Sequence, residues 1–163
     1  MTDLCDKVAL RPVGPGDEPF LLEVYAGTRA AELDLTPWNA EQRLSFVQAQ
    51  FAARQQHYRS YYLGAAHDII LLQGRPVGCL YVARGPEDIR VLDLTILPGH
   101  QKAGIGTHLL QQVMAEAASA GKTVSLHVES FNPALPLFAR LGFYTKEDKG
   151  VHILFEWRPK KTM

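Results

Sequence analysis

Residues 98–108 read PGHQKAGIGTH and contain a Q-x-x-G-x-G run, Gln101-Lys102-Ala103-Gly104-Ile105-Gly106. An apolar stretch, 91–97, leads into it, and an amphipathic stretch, 106–120, leads out. A strand that gives way to a helix through paired glycines narrows what the chain can become. Glycines at the mouth of a helix let the backbone approach a ligand closely. The N–H groups of the first helical turn have no acceptor inside the helix, and the helix dipole favours negative charge beside them. Such a turn is suited to a phosphate. The first expectation is therefore a phosphate-bearing cofactor seated between residues 91–97 and the following helix.

Phosphate loops of other designs fit less well. A Walker loop needs G-x-x-x-x-G-K-[ST], whereas Gly106 is followed by Thr107 and His108, so no lysine is placed for the outer phosphates. A dinucleotide fingerprint needs G-x-G-x-x-[G/A], and position 109 is Leu. The strand before the loop also belongs to an antiparallel run and not to a first βαβ unit.

That run is read from period. Residues 7–12 predict a short strand, and Asp17 a helix N-cap before a helix over 20–32. Thr36-Pro37 marks a second start, and Asn39 with Gln42 resembles a capping box. Leu44, Val47 and Phe51 follow at the spacing of one buried helix face. Residues 69–72 and 77–84 predict a hairpin about the turn at 73–76. A third strand covers 89–97. After the glycine helix, residues 123–128 predict a strand, Asn132-Pro133 opens a short helix that Gly142 closes, and one or two strands end the chain with Val151, Ile153, Phe155 and Trp157 alternating inward.

Lys plus Arg and Asp plus Glu both number 17, so no basic excess points to nucleic acid. No stretch approaches a membrane span, and the first ten residues lack a signal-like apolar core. Cys5 and Cys79 form neither a disulfide framework nor a metal motif. One cytoplasmic domain over residues 1–163, with no metal, is the expectation.

The loop and a second segment together resemble the GNAT superfamily of acyl-CoA-dependent N-acyltransferases. The first segment is Leu94-Thr95-Ile96-Leu97-Pro98-Gly99-His100 followed by the Q-x-x-G-x-G run. The second is Leu126-His127-Val128-Glu129-Ser130-Phe131-Asn132, then Ala134 through Leu141-Gly142-Phe143. The family pattern there is L-x-V-x-x-x-N-x-x-A, a Tyr four residues on, then L-G-F; this chain is one residue short between Asn132 and Ala134. The resemblance implies an α/β fold of the α+β mixed-sheet kind. Its mostly antiparallel sheet would have six or seven strands splayed around the cofactor, with about four helices.

The resemblance also implies an activity, N-acetyl transfer from acetyl-CoA to a primary amine by direct attack. The acceptor would be a small molecule, a peptide N-terminus or a protein lysine. An acyl-CoA-binding regulatory or sensor module with little turnover is the alternative, and another acyl donor a third. Backbone groups of Leu94, Thr95 and Ile96 would pair with the pantetheine arm. Those of Gln101, Lys102, Ala103, Gly104, Ile105, Gly106 and Thr107 would hold the pyrophosphate, with Asn132 and Phe138 beside the cofactor. Phe138 stands where the family's proton-donating Tyr is usual, so Tyr144 is the nearest substitute acid. The family's Glu positions fall at Arg90 and His127. His127 and Asp93 are therefore the candidate bases, and Glu129 shares His127's side of its strand and can orient the ring or bind the amine. Tyr25, Arg29, Glu32, Trp38, Tyr58 and Tyr81 are candidates for the acceptor side, and the aromatic stretch 57–62 for its rim or for a sheet cover. The partners expected are a small-molecule or peptide amine acceptor and, as an option, a second copy in a homodimer; neither nucleic acid nor membrane is expected.

Overall fold

A computed structural model describes residues 7–130, 132 and 134–160; Cys5 and Pro133 of the sequence reading lie outside them. Strand β1 (Val8–Pro12) leads through a single 3-10 turn (Pro15–Asp17) into helix α1 (Glu18–Leu33) and then α2 (Ala40–Tyr61). Three strands follow, β2 (Ala66–Leu72), β3 (Arg75–Arg84) and β4 (Asp88–Ile96). Helix α3 (Ile105–Ala120), β5 (Thr123–Glu129), α4 (Leu135–Arg140), β6 (Tyr144–Asp148) and β7 (His152–Trp157) complete the described chain.

The strands form one sheet in the order β1-β2-β3-β4-β5-β7-β6. Every neighbouring pair is antiparallel except β4 with β5, which is parallel. That pair needs a crossover, and α3 supplies it. The mixed sheet with helices on both faces is the architecture expected from the element order.

Alternation along the strands builds two cores. Ile70, Leu80, Val82, Ile89, Val91, Val124, Leu126 and Phe155 point to one face, where Ile105, Leu109, Leu110, Val113 and Ala117 of α3 and Phe138 of α4 cover them. Ile69 and Cys79 point to the other face, under Leu21, Val24 and Tyr25 of α1 and Val47 and Phe51 of α2. The α3 stripe follows the period of one helix face, so its length and burial were legible in the sequence.

The capping box at Asn39 forms as read. Its side chain accepts from the Gln42 N–H at 2.8 Å, and the Gln42 side chain accepts from the Asn39 N–H at 3.0 Å. Two details differ from the reading, at Leu44 and at Asp17. Leu44 is 52% exposed, because the packed stripe of α2 is Val47 and Phe51 and continues toward the C-terminus. Residues 57–61 form the last turns of that helix, which leads through residues 62–65 into β2. Asp17 precedes α1 without capping it; its carboxylate instead accepts from the Gly14 N–H at 2.7 Å and from Arg11 at 2.9 Å, closing the 3-10 turn. The second strand left open at the end of the chain is β6, an exposed edge strand.

Candidate active site

The site begins where β4 and β5 separate. Asp88, Ile89, Arg90 and Val91 pair with Thr123, Val124, Ser125 and Leu126, and the pairing then stops although both strands run on. One extra β4 residue, Leu92, sits between the partners of Tyr81 and Val82, so β4 carries a bulge at the point of parting. Past the bulge, β4 pairs only with β3. The Leu97 N–H donates to the Val77 carbonyl at 2.8 Å. Antiparallel alternation then aims Asp93 and Thr95 backbone groups at β3 and leaves the N–H groups of Leu94 and Ile96 facing the gap. Gln101 reaches back across its turn and donates to the Ile96 carbonyl at 2.9 Å.

The turn after β4 is folded for the same purpose. Lys102 (φ 64°) and Gly104 (φ 87°) both lie in the left-handed region. Glycine takes that conformation freely, whereas for lysine it costs about 1 kcal/mol. After Gln101, the next N–H to find an acceptor is that of His108, which donates to the Gly104 carbonyl at 2.9 Å. The N–H groups of Lys102, Ala103, Gly104, Ile105, Gly106 and Thr107 donate to nothing among the described residues. Ile105 sends its side chain into the core and offers only its amide. Six amides gathered at one helix start fit a diphosphate.

The other face of the gap is polar and lies under α1 and α2. Asp93 and Thr95 of β4 stand opposite Tyr81 and Cys79 of β3. The Asp93 carboxylate is fully engaged. Oδ1 accepts from the Thr95 hydroxyl at 2.6 Å and pairs with Arg54 at 3.3 Å, while Oδ2 accepts from the Cys79 thiol at 3.2 Å. Burial, with the charge and hydrogen bond of Asp93, pushes the Cys79 thiol far up, so it stays protonated. The Arg54 guanidinium lies 5.2 Å from the ring centres of both Tyr25 and Tyr58, and its Nε donates to the Tyr58 hydroxyl at 3.2 Å. Tyr58 in turn donates to the Leu92 carbonyl at 3.1 Å, which ties α2 to the bulge. Arg29 of α1 reaches Glu129 at the end of β5 at 3.1 Å and Glu32 at 2.9 Å.

His127 and Glu129 share the α1/α2 side of β5, opposite Leu154 and His152 of β7, as their spacing predicted. His127 is the first β5 residue beyond the parting. It borders an open hollow of about 290 Å³ with Glu147, Lys149, His152 and Leu154. Burial first, then the charges of Arg90, Lys149 and His152, lower its pKa from the ordinary 6.5, against a smaller opposing pull from Glu147.

Other candidates are placed elsewhere or engaged. The Tyr144 hydroxyl bonds to Glu156 and accepts from Arg158 at 2.8 Å. Tyr144 pairs with Glu156, and Glu156 with Ser125, which sits at the closed end of the β4–β5 pair. The Tyr144 hydroxyl, expected as the substitute acid, is thus engaged by Glu156 and Arg158. Phe138 is 8% exposed and packs against Phe143 and Phe155. The Asn132 side-chain oxygen accepts from the Ala134 N–H at 2.8 Å, so its turn is closed locally. Trp38 packs at a tilt against Phe46, ring centres 5.0 Å apart, in the α1–α2 connection. Tyr81 stacks on His67, its ring centre 4.0 Å away.

Sequence reasoning did not single out Arg54, Cys79 or the side chain of Thr95. A signal existed for Arg54. Val47, Phe51, Arg54 and Tyr58 fall at i, i+4, i+7 and i+11, so a charge interrupts a buried stripe. Gly78 was also missed. A Cβ there would collide with the Thr95 carbonyl, so β3 can lie this close to β4 only with glycine at that position. Among the described residues no cluster of His, Cys, Asp or Glu is placed to hold a metal ion. No described helix is long and apolar enough to cross a membrane.

A mixed sheet parted between two parallel strands, with an amide-rich helix start at the gap, defines a mixed α/β protein with a cleft suited to a phosphate-bearing ligand. Residues 27–143 match the model of the Acetyltransferase (GNAT) family, and the chain belongs to that family. Its fold is similar to that of the PaiA N-acetyltransferase from Thermoplasma acidophilum, solved in complex with coenzyme A, at TM-score 0.70 and 15% identity over 93% of this chain and 98% of that one. It is also similar to an acetyltransferase from Thermus thermophilus, at TM-score 0.67 and 23% identity over 93% and 97%. The ribosomal-protein-S18-alanine N-acetyltransferase from Escherichia coli superposes at TM-score 0.62 and 17% identity over 96% of each chain.

Proposed function

We propose that this protein transfers the acetyl group of acetyl-CoA to a primary amine held between α1, α2 and the parted ends of β4 and β5. The observation that carries the reading is the coincidence of two unsatisfied backbone sets at one place. Leu94 and Ile96 present N–H groups to the gap, and Lys102 through Thr107 present six more at its end. Lys102 to Gly104 form an exposed turn and Ile105 to Thr107 the buried or half-buried start of α3, and a run of helix-start amides without acceptors is suited to an anion. When bound, acetyl-CoA supplies an activated thioester carbonyl.

This chain's own groups then do the following. Amides 102–107 take the diphosphate oxygens, and Gln101 holds the Ile96 carbonyl so that the β4 end keeps its line. The amides of Leu94 and Ile96 hold the carrier arm and polarise an acyl oxygen. His127 Nδ1 or Nε2 takes a proton from the ammonium of the acceptor. Its lowered pKa leaves the ring neutral at pH 7 and ready to accept. Glu129, shared with Arg29, supplies negative charge for the ammonium. Asp93 holds Arg54, Thr95 and Cys79 in place and serves as an organiser, because both of its oxygens are occupied. With Phe138 apolar and Tyr144 bound to Glu156, no side-chain acid is assigned to the departing sulfur.

The test is a calorimetric titration with coenzyme A, followed by coenzyme A release from acetyl-CoA over a panel of amines at several pH values. Binding and turnover are expected. The rising limb of the pH–rate profile should centre below 6.5, the ordinary histidine value, and vanish in His127→Ala. Folded protein that takes up no coenzyme A overturns the reading. Binding without transfer to any amine on the panel replaces the enzyme with an acyl-CoA sensor.

A further inference from the structure

The Leu92–Asp93 peptide is gripped on both sides by one helix. Leu92 is the extra residue of the β4 bulge and has no residue opposite it on β3 or β5. A bulged residue drops out of the ladder, so its backbone groups need other partners. The Tyr58 hydroxyl donates to the Leu92 carbonyl at 3.1 Å. One residue on, the Asp93 carboxylate pairs with Arg54 at 3.3 Å. Arg54 and Tyr58 lie at i and i+4 on α2, so they reach β4 from one helix face.

The two side chains also hold each other. Arg54 Nε donates to the Tyr58 oxygen at 3.2 Å. A phenol has a single proton, and with Arg54 on a lone pair that proton is left for Leu92. The guanidinium sits 5.2 Å from the Tyr58 ring centre, and Tyr81 packs edge-on against the same ring at 5.3 Å. The contacts Asp93, Arg54, Tyr58 and Leu92 therefore form a circuit that leaves β4 and returns to it one residue away.

Such a circuit fixes the rotation of the peptide plane it encloses. What that rotation controls lies just beyond. The Leu94 amide faces the gap, and its direction follows from the dihedral angles at Asp93. A donor aimed at a developing oxyanion works only at close range, and a misplacement of about 1 Å can cost about 100-fold in rate. We propose that Tyr58 is a positioning residue, which acts through the Leu92 carbonyl to aim the Leu94 amide at the acyl oxygen. Its effect on rate rests on the acetyl-transfer reading, whereas the circuit itself does not. The diphosphate amides of residues 102–107 lie beyond the far end of β4, so cofactor grip and chemistry should separate.

The experiment is Tyr58→Phe, which keeps the ring and removes the hydroxyl. In acetyl transfer kcat should fall by about tenfold or more, with the KM for acetyl-CoA and the calorimetric affinity for coenzyme A within about twofold of wild type. Thr123→Val is the matched control, because it removes a hydroxyl that donates to Asp88 at 2.7 Å at the closed end of the β4–β5 pair. It should lower the urea midpoint as Tyr58→Phe does and leave kcat unchanged. Amide hydrogen exchange on the free protein reads the circuit without turnover, and at Asp93 it should be about tenfold faster in Tyr58→Phe, with Ile89 unchanged. Unchanged kcat in Tyr58→Phe, or an equal loss of kcat in Thr123→Val, overturns the proposal. A wild type that transfers to no amine overturns the acetyl-transfer reading instead, and unchanged exchange at Asp93 overturns the circuit.

Discussion

The same two strands, β4 and β5, make one end of their contact that satisfies itself and another that does not. At the closed end Asp88 accepts from the Ser125 hydroxyl at 2.5 Å and from the Thr123 hydroxyl at 2.7 Å, and Arg90 donates to Ser125 at 3.0 Å. Ladder and side chains together leave that end complete. At the parted end β4 has a partner on one side only, and its free amides continue into the turn before α3. Polar groups that pair with each other build scaffold, and polar groups held in place without partners build a site. The bulge at Leu92 is the boundary between the two, and Tyr58 pins it.

The largest expected effect breaks the parted end. Gly104→Asp puts a side chain at φ 87° and a negative charge among the free amides. Coenzyme A affinity should fall by about 100-fold or more, roughly 3 kcal/mol. A dissociation constant within threefold of wild type by calorimetry would remove the turn from the binding site. Next comes the seam that holds β4 against β3. Gly78→Ala drives a methyl into the Thr95 carbonyl and should cost about 1–3 kcal/mol in a urea melt. The smallest effect belongs to the closed end. Ser125→Ala leaves Arg90 and Asp88 each short of a partner and should cost about 1 kcal/mol, with coenzyme A affinity unchanged. If that variant weakens the cofactor as well, the two ends are not separable and the contrast drawn here fails.

Much of the donor side was legible because it is local. The apolar run, the paired glycines and the α3 stripe are consecutive in sequence, and a turn's amides point where its own dihedrals send them. Asn39 and Gln42 could be matched for the same reason. The acceptor side was legible only in part. Glu129 was placed on the correct side of β5 by alternation, but its pairing with Arg29 depends on where α1 crosses the sheet. Leu44 shows the limit of periodicity, since spacing gives a face of a helix and not the extent of what covers it. Tyr144 shows another. Its distance along the chain from Phe138 suggested a substitute hydroxyl, whereas strand register carries it to Glu156.

By itself the sequence determined the order of elements, the amide-lined turn at residues 101–107 and the two-faced packing of α3. These follow from dihedral preference and hydrophobic period, which act over a few neighbouring residues. Only the tertiary structure decided that β4 would part from β5 after Val91, that Arg54 would sit between two tyrosines on Asp93, and that Tyr81 would stack on His67. Those arrangements join residues from separate strands and helices. Their energies come from burial and charge pairing across the fold, and no local pattern encodes them.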